Sequence, residues 1–497
     1  MSSVPAIRIR SANSLPVREN GDFVLYWMTA SRRVTWNFAL DRAVEWAENL
    51  QKPLVVLEAL RCGYPWASDR IHRFAIDGMA DNACWLEGTD AFYYPYLEPK
   101  PNAGEGLPAA LAAHACSVVT DEFPRFFLPN SVASEIRQIP VLMEAVDSNG
   151  LLPLRQAEQP FLTAFAFRRF LQSQLPRHLG EFPKANALLS AKLPKPTILP
   201  AEILKRWPKA SPRLLNSGDR VLAGISLDHG IPPVETRGGS APAQRMLREF
   251  LRNKLAGYAE ARNEPGQNAT SELSPYLHFG HISIHQIFSE IMGQGGWSPN
   301  HLALRATGSR TGWWGASQAA EAFLDQVVTW RELGFNCCQT RNDYDQFESL
   351  PAWALKTLRL HARDERSYVY TLRQFESAKT HDPLWNAAQT QLVREGRIHN
   401  YLRMLWGKKI LEWTPSPAKA LEIMVELNNK YALDGRDPNS YSGIFWCLGR
   451  YDRPWGPERP IFGTVRHMSS ENTARKFNVQ EYVRQFSSSY ERVTIEK

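Results

Sequence analysis

DFVLYWMTASRRVTWNFALDRAVEWAENLQKPLVVLEAL, residues 22–60, reads as strand, helix, strand, and that reading decides the fold of the first third of the chain. The outer runs DFVLYWM and PLVVLEAL are unbroken apolar segments of strand length, the pattern of strands covered on both faces. Between them, residues 35–51 place Trp36, Ala39, Leu40, Ala43, Ala47 and Leu50 mostly three or four apart, which gives one apolar helical face. Three more strand-like runs follow, AFYYPYL (91–97), CSVVTDEF (116–123) and IPVLMEAV (139–146). Five strands with intervening helices predict a mostly parallel α/β sheet with helices on both sides. Such sheets bind ligands beyond the carboxyl ends of their strands. No GxGxxG, Walker A or GxSxG motif occurs, so the pattern alone names no ligand.

Downstream the character changes. Residues 176–212 hold seven prolines, at 176, 183, 194, 196, 200, 208 and 212, among many Lys and Arg. Prolines that dense fix backbone angles and remove donors, so a connector without long regular elements is expected there. Beyond about 216 the spacing turns helical: residues 243–258, 319–333, 384–395, 401–412 and 417–431 each carry an apolar stripe. The expected organisation is an extension over 1–20, an α/β domain over 21–165, a connector over 166–215, an all-helical domain over 216–485 and a tail over 486–497.

A chain of 497 residues is too long for one core. Apolar residues at 43% and charged residues at 22% are ordinary globular usage, which excludes fibrous and disordered classes. A net charge of +7 suits a polyanionic partner, though a chain this long can carry that excess as plain solvated surface. The six cysteines show no CxxC spacing, and His278, His281 and His285 lack companions that would complete a ligand set, so neither a disulfide framework nor a metal site is expected. The first twenty residues contain no signal-like apolar run and no segment has bilayer-spanning length. A soluble cytoplasmic protein is expected.

The chain holds 16 Trp, ten of them after residue 290. Taken singly, each reads as core packing. In LWNAAQTQLVREGRIHNYLRMLWGKKILEW (384–413), however, Trp406 and Trp413 stand seven apart. That spacing puts them on one helical face roughly 10 Å apart along the axis. Trp385 arrives from the preceding helix, and three indoles so spaced could hand an electron along stepwise.

The phrases TSELSPYLHFG (270–280), THDPLWNAAQ (380–389), RMLWGKKILEW (403–413) and LDGRDPNSYSGIFW (433–446) resemble, in order, the flavin-domain motifs of class II cyclobutane pyrimidine dimer photolyases. The resemblance runs from about residue 22 to the C-terminal region. It implies an N-terminal Rossmann-like α/β antenna domain and a C-terminal helical domain holding FAD. The implied activity is light-driven repair of cyclobutane pyrimidine dimers in DNA by electron transfer from photoexcited reduced FAD to a flipped-out dimer. It also leaves room for a second antenna chromophore, with a deazaflavin, a folate or nothing all open. DNA is the implied partner, and a monomer is expected.

Residue by residue, the resemblance implies that Thr270, Ser271, Leu273 and Ser274 wrap the FAD diphosphate, with Tyr258, Arg262 and Asn263 of YAEARN nearby. Small hydroxyls and free amides suit phosphate oxygens, although a plain helix N-cap would use the same residues. Asn428 matches the position facing flavin N5, where an amide can follow a change of protonation. Asp434 pairs with Arg403 beside the ring, and Arg436 belongs to the same cofactor set. Trp406, Trp385 and Trp413, ordered from flavin to surface, form the implied relay for photoreduction. Trp330 and Trp446 are the implied aromatic walls of the lesion pocket and Met404 its floor, with Asp452 and Arg453 near the lesion and its phosphates. In FLDQVVTWREL the superfamily's glutamate before Trp330 is replaced by Gln326, with Glu332 following, so a carboxylate role there is in doubt. The alternatives are a cryptochrome-like flavin photoreceptor without repair and a non-catalytic nucleic-acid-binding module.

Overall fold

The computed structural model describes residues 2–124, 135–196, 198–293 and 296–487. Residues 488–497 of the expected tail lie outside these. The chain divides into two compact units, neither of them one continuous segment. The first comprises Met1–Glu158, Ser173–Glu249 and Glu272–Leu302, the second Gln159–Gln172, Phe250–Ser271 and Ala303–Lys497.

The first unit is built on a six-stranded sheet ordered β1-β6-β5-β2-β3-β4. Its strands are β1 (Ile9–Ser11), β2 (Phe23–Met28), β3 (Leu54–Leu60), β4 (Ala91–Leu97), β5 (Ala115–Asp121) and β6 (Met143–Val146). The five anticipated strands are present and parallel. The sixth adds to the five expected: Ile9–Ser11, within the expected N-terminal extension, pairs antiparallel with β6 as Ile9 opposite Val146. Three residues without an alternating pattern give no strand signal of their own; the free edge of β6 selects them.

Every residue of β2 is buried, and alternate side chains enter different cores. Val24, Tyr26 and Met28 pack with α1 (Phe38–Leu50). Phe23, Leu25 and Trp27 pack with α3 (Leu107–Ala112) on the other face, while α2 (Asp69–Leu86) follows β3. Covering both faces explains why these strands read as continuous apolar runs. Near the carboxyl ends of the strands two buried carboxylates gather hydrogen bonds from neighbouring loops and strands. Asp121 accepts from Tyr26 Oη (2.8 Å) and from the amides of Thr29, Ala30 and Ser31, while Glu58 accepts from Tyr93 Oη (2.6 Å) and Asn82 Nδ2 (2.9 Å).

Within 176–212 the described helices are short, the longest being Ala201–Arg206. Further on, the helix expected over 243–258 is α4 (Ser240–Glu249) followed by a π-turn at Phe250–Lys254 and a 3-10 turn. The second unit is helical. The stretch expected as one helix over 319–333 is α5 (Gln318–Leu324), a π-turn at Asp325–Trp330 and α6 (Arg331–Thr340). Then come α7 (Pro383–Glu395), α8 (Asn400–Glu412), α9 (Pro417–Tyr431), α10 (Pro438–Cys447), α11 (Ser470–Lys476) and α12 (Gln480–Phe486). Among the described residues, no helix is long and apolar enough to cross a membrane, and no cluster could hold a metal ion.

Candidate functional site

Two of the quoted motifs are helix starts. In THDPLW, Asp382 accepts from the Trp385 amide at 3.0 Å with Pro383 in the first turn; in GRDPNS, Asp437 accepts from the Asn439 amide at 2.8 Å ahead of Pro438. Asp supplies an acceptor for an orphan N–H, and Pro has no N–H to orphan. Gly407 on α8 explains how closely α10 approaches, since a Cβ there would meet Cys447 Sγ at 2.5 Å and Met424 Sδ at 3.0 Å. These local choices hold α7 to α10 where their functional side chains can meet.

Asn428 lies inside α9 and is 2% exposed, so it is not the helix cap it could have been. Its Nδ2 donates to Ser440 Oγ (2.9 Å) and to Asn429 Oδ1 (3.2 Å), while its Oδ1 takes no hydrogen bond from any described residue. A buried amide with an open acceptor is what a group presenting a ring N–H would fill, so this position fits the flavin that the resemblance implies. Arg403 meets Asp434 as expected, Nη2 lying 3.0 and 3.3 Å from the two carboxylate oxygens, both side chains partly buried. Arg436 donates to the main-chain carbonyls of Asn429, Ala432 and Leu433 at the end of α9, so its guanidinium holds the turn that carries Asp434.

Tyr258 is buried against Phe250 and Phe323, ring centroids 5.6 and 5.2 Å away. Burial pushes its phenol up, opposed by the nearby Arg262 guanidinium, which sits 5.8 Å from its ring. Arg262, Asn263, Thr270 and Ser271 are half-buried. Leu273 (buried) and Ser274 (exposed) belong to the first unit, where Ser274–His278 forms a short helix. Its N-cap residue is Leu273, whose side chain offers no acceptor to the first turn. His399, which the sequence reading missed, precedes α8 one turn before Arg403. Among the described residues neither of its buried ring nitrogens has a well-aligned hydrogen-bond partner, and desolvation, opposed by the Arg262 backbone, pulls its imidazole down to about 4.

The three indoles gather in the second unit. Trp385 is the middle member: its Nε1 donates to the Trp406 carbonyl at 3.0 Å and its ring lies 6.0 Å from that of Trp413. Trp406 Nε1 donates to Gln389 Oε1 at 2.9 Å. Helix α8 ends at Glu412 and Trp413 is its C-cap, the amide still bonded to the Lys409 carbonyl at 3.0 Å, so the helical spacing from Trp406 is kept. One expectation is corrected: Trp413 is 2% exposed, so the three indoles do not reach the surface.

Trp330, at the end of the π-turn, and Trp446, on α10, stack with centroids 4.7 Å apart and planes at 21°. Rings in contact leave no slot for a base between them, so the pair forms one half-exposed aromatic surface instead of two opposed walls. Met404 Sδ lies 3.9 Å from the sulfur of Cys447, the residue that follows Trp446 on α10. Gln326 is half-buried within the π-turn and Glu332 is 5% exposed on α6. Asp452 Oδ1 accepts from the Arg453 amide (2.9 Å) and from Trp455 Nε1 (3.1 Å). Trp455 is 37% exposed and lies between the guanidinium groups of Arg453 and Arg466, 4.6 and 5.1 Å from its ring. Trp455 and Arg466 also escaped the sequence reading; only the Asp-Arg-Pro-Trp spacing hinted at them.

No protein-family model matches the chain. Over 483 residues the chain is 35% identical to the deoxyribodipyrimidine photo-lyase of Methanothermobacter thermautotrophicus, spanning 97% of this chain and 98% of that protein. To the deoxyribodipyrimidine photo-lyase of Potorous tridactylus it is 32% identical over 479 residues, 95% of this chain and 82% of the relative. A solved bacterial class III photolyase from Agrobacterium tumefaciens matches with a TM-score of 0.64 over 96% of this chain and 87% of its own; its identity of 18% makes that a likeness of fold. Near-complete alignment at a third identity, on a sheet-plus-helical architecture with an indole cluster and an aromatic surface, leads to one conclusion: the chain belongs to the deoxyribodipyrimidine photo-lyase family.

Proposed function

We propose that this protein repairs cyclobutane pyrimidine dimers in DNA under light, as a class II enzyme of its family. The observation that carries the reading is the stacked, half-exposed Trp330–Trp446 pair, in the same unit as Asn428 and the Arg403–Asp434 pair. When bound, FAD supplies the light absorption and the electron that opens the cyclobutane ring, with no net redox change. The chain's own residues do the rest. Thr270 and Ser271 hold the diphosphate, and Tyr258, Arg262 and Asn263 complete that side. Asn428 offers its open amide oxygen to the ring, and the Arg403–Asp434 pair, steadied by Arg436, fixes the local field.

The lesion costs less to extrude than an intact base pair because it already disrupts stacking. Once out, it lies on the shared face of Trp330 and Trp446 against the soft Met404 thioether. Gln326 and Glu332 offer hydrogen bonds to the pyrimidine edges; Gln326 can both donate and accept, so it does not depend on a carboxylate. Asp452 orients Trp455 and Arg453 at the rim. Trp406, Trp385 and Trp413 pass electrons inward for photoreduction and take no part in repair itself. For the first unit three outcomes stay open, a deazaflavin, a folate or no second pigment, and the absorbance of purified protein decides between them.

The test is illumination of a defined thymine-dimer oligonucleotide, single- and double-stranded, with the flavin spectrum recorded alongside. Light-dependent restoration of the intact oligonucleotide is expected. A flavin-loaded protein that leaves the dimer intact would instead favour the photoreceptor reading.

A further inference from the structure

A buried terminus is a poor place to end an electron relay, because a charge left on it has no outside partner and returns the way it came. Trp413 is such a terminus, at 2% exposure. The Lys409 ammonium lies 5.2 Å from its ring but is paired with the Glu412 carboxylate at 2.9 Å, so no net charge is set against or for the indole there. The inner two indoles have no base to take their protons, since Trp406 donates to the Gln389 amide oxygen and Trp385 to a main-chain carbonyl. The charge therefore has reason to move outward from Trp413.

A second set of rings continues from that point. Tyr370 lies 5.7 Å from Trp413, centroid to centroid, and its amide is tied to the Trp413 carbonyl at 3.0 Å. Its phenolic oxygen is 2.7 Å from His381 Nδ1 and also accepts the His381 amide at 3.0 Å. The His381 ring is 4.9 Å from Trp413 and stacks on Tyr368 at 3.7 Å and 17°. Tyr368 is 47% exposed, and its ring is parallel to that of Tyr370 at 6.3 Å. Among these contacts, only the Tyr370–His381 pair joins an oxidisable ring next to Trp413 with a nitrogen able to accept a proton.

We infer that Tyr370, with His381 as its proton acceptor and Tyr368 as the outer contact, is the exit of the indole relay; the inference rests on the relay assigned above. An electron passes from Tyr370 to oxidised Trp413, restoring the neutral indole. The phenolic O–H bond breaks, and its proton forms an N–H bond on His381 Nδ1, leaving a neutral phenoxyl radical beside an imidazolium. The neutral phenoxyl leaves no charge in the interior, and the imidazolium is at the surface, where water solvates it. A small thiol reductant in solution, approaching over Tyr368, then gives one electron to the phenoxyl as the proton returns.

The test is flash excitation of the flavin-loaded, oxidised protein with transient absorption and EPR detection of indole and phenoxyl radicals. In wild type a phenoxyl signal should grow as the indole signal decays, and more slowly in D2O. Tyr370→Phe should abolish it and leave a longer-lived indole radical. His381→Phe should slow its appearance by about 10²-fold, the lower range for loss of a positioned base. Tyr368→Phe should leave its yield intact and slow its quenching by added thiol. An indole radical with the same decay in wild type and in Tyr370→Phe, both loaded equally with flavin, overturns the exit while the relay stands. Absence of any aromatic radical in wild type overturns both.

Discussion

Lys408 shows what one residue can cost and why it is kept. It is fully buried on α8, its Nζ 2.6 Å from the Cys447 carbonyl near the end of α10, so it ties together the two helices that carry Met404 and Trp446. Desolvation pulls its ammonium down to about 8, with the Cys447 and Asp452 side chains acting in the opposite sense. A lysine whose folded pKa is depressed destabilises the fold while charged. Its favourable contribution is complete above the unfolded value of 10.5 and disappears as pH falls through about 8. Lys408→Met should therefore stabilise the protein near neutrality by up to about 3 kcal/mol, less the lost hydrogen bond. The difference from wild type should shrink between pH 8 and 10.5, as read from urea midpoints. A gap that widens over that window would show that the amine is not the group responsible. Lesion affinity should fall in the same variant, because the α8–α10 tie is gone, the usual exchange of stability for a site held in place.

At the level of elements, the π-turn at Asp325–Trp330 is what aims the aromatic surface. One extra residue in a turn rotates the side chains that follow, and Trp330 lands on Trp446 of α10. If the stacked rings act as one platform, Trp330→Ala and Trp446→Ala should each lower affinity for a dimer-containing strand by about ten- to a hundredfold, the weight of one aromatic stacking partner at about 1–3 kcal/mol. The double variant should lose clearly less than the two losses added, because neighbouring sites couple. Strict additivity in a titration of folded variants would mean that the rings contact substrate independently. This is also where the limits of sequence reading are visible. The five parallel strands were legible because burial on both faces writes unbroken apolar runs, and the Arg403–Asp434 pair because two long motifs carry its members. The π-turn was not, since apolar spacing barely distinguishes a turn of four residues from one of five. Neither was the surface end of the relay: Trp413 keeps helical spacing from Trp406, but spacing does not show that its ring is buried. Tyr370 and His381 come to it from separate segments, and only tertiary packing brings them in.

For the molecule as a whole, a formal charge of +7 spread over 497 residues is too dilute to name a partner, and what matters is where it is concentrated. The loop after α10 is such a place. Arg453 and Arg466 lie on Trp455, Asp452 holds the indole N–H, and the Trp455 amide bonds to the Thr464 carbonyl at 2.8 Å, which closes the loop on itself. Guanidinium groups stacked on an indole keep their in-plane donors free for phosphate, so the loop can neutralise backbone charge without reading sequence. Each phosphate neutralised releases condensed counterions, and the slope of log affinity against log salt counts them. Arg453→Ala should make that slope shallower by about 1 and weaken damaged and undamaged duplexes by similar factors, leaving the preference for the dimer nearly unchanged. The stacked Trp330–Trp446 pair should behave in the opposite way, since stacking is uncharged: its variants should lose lesion preference and keep the wild-type slope. Binding measured between 50 and 200 mM salt, the range over which phosphate contacts change affinity steeply, would separate the two. If Arg453→Ala changed the lesion preference but not the slope, the guanidinium would be touching the extruded bases, and the charge that draws DNA to this protein would have to lie elsewhere on its surface.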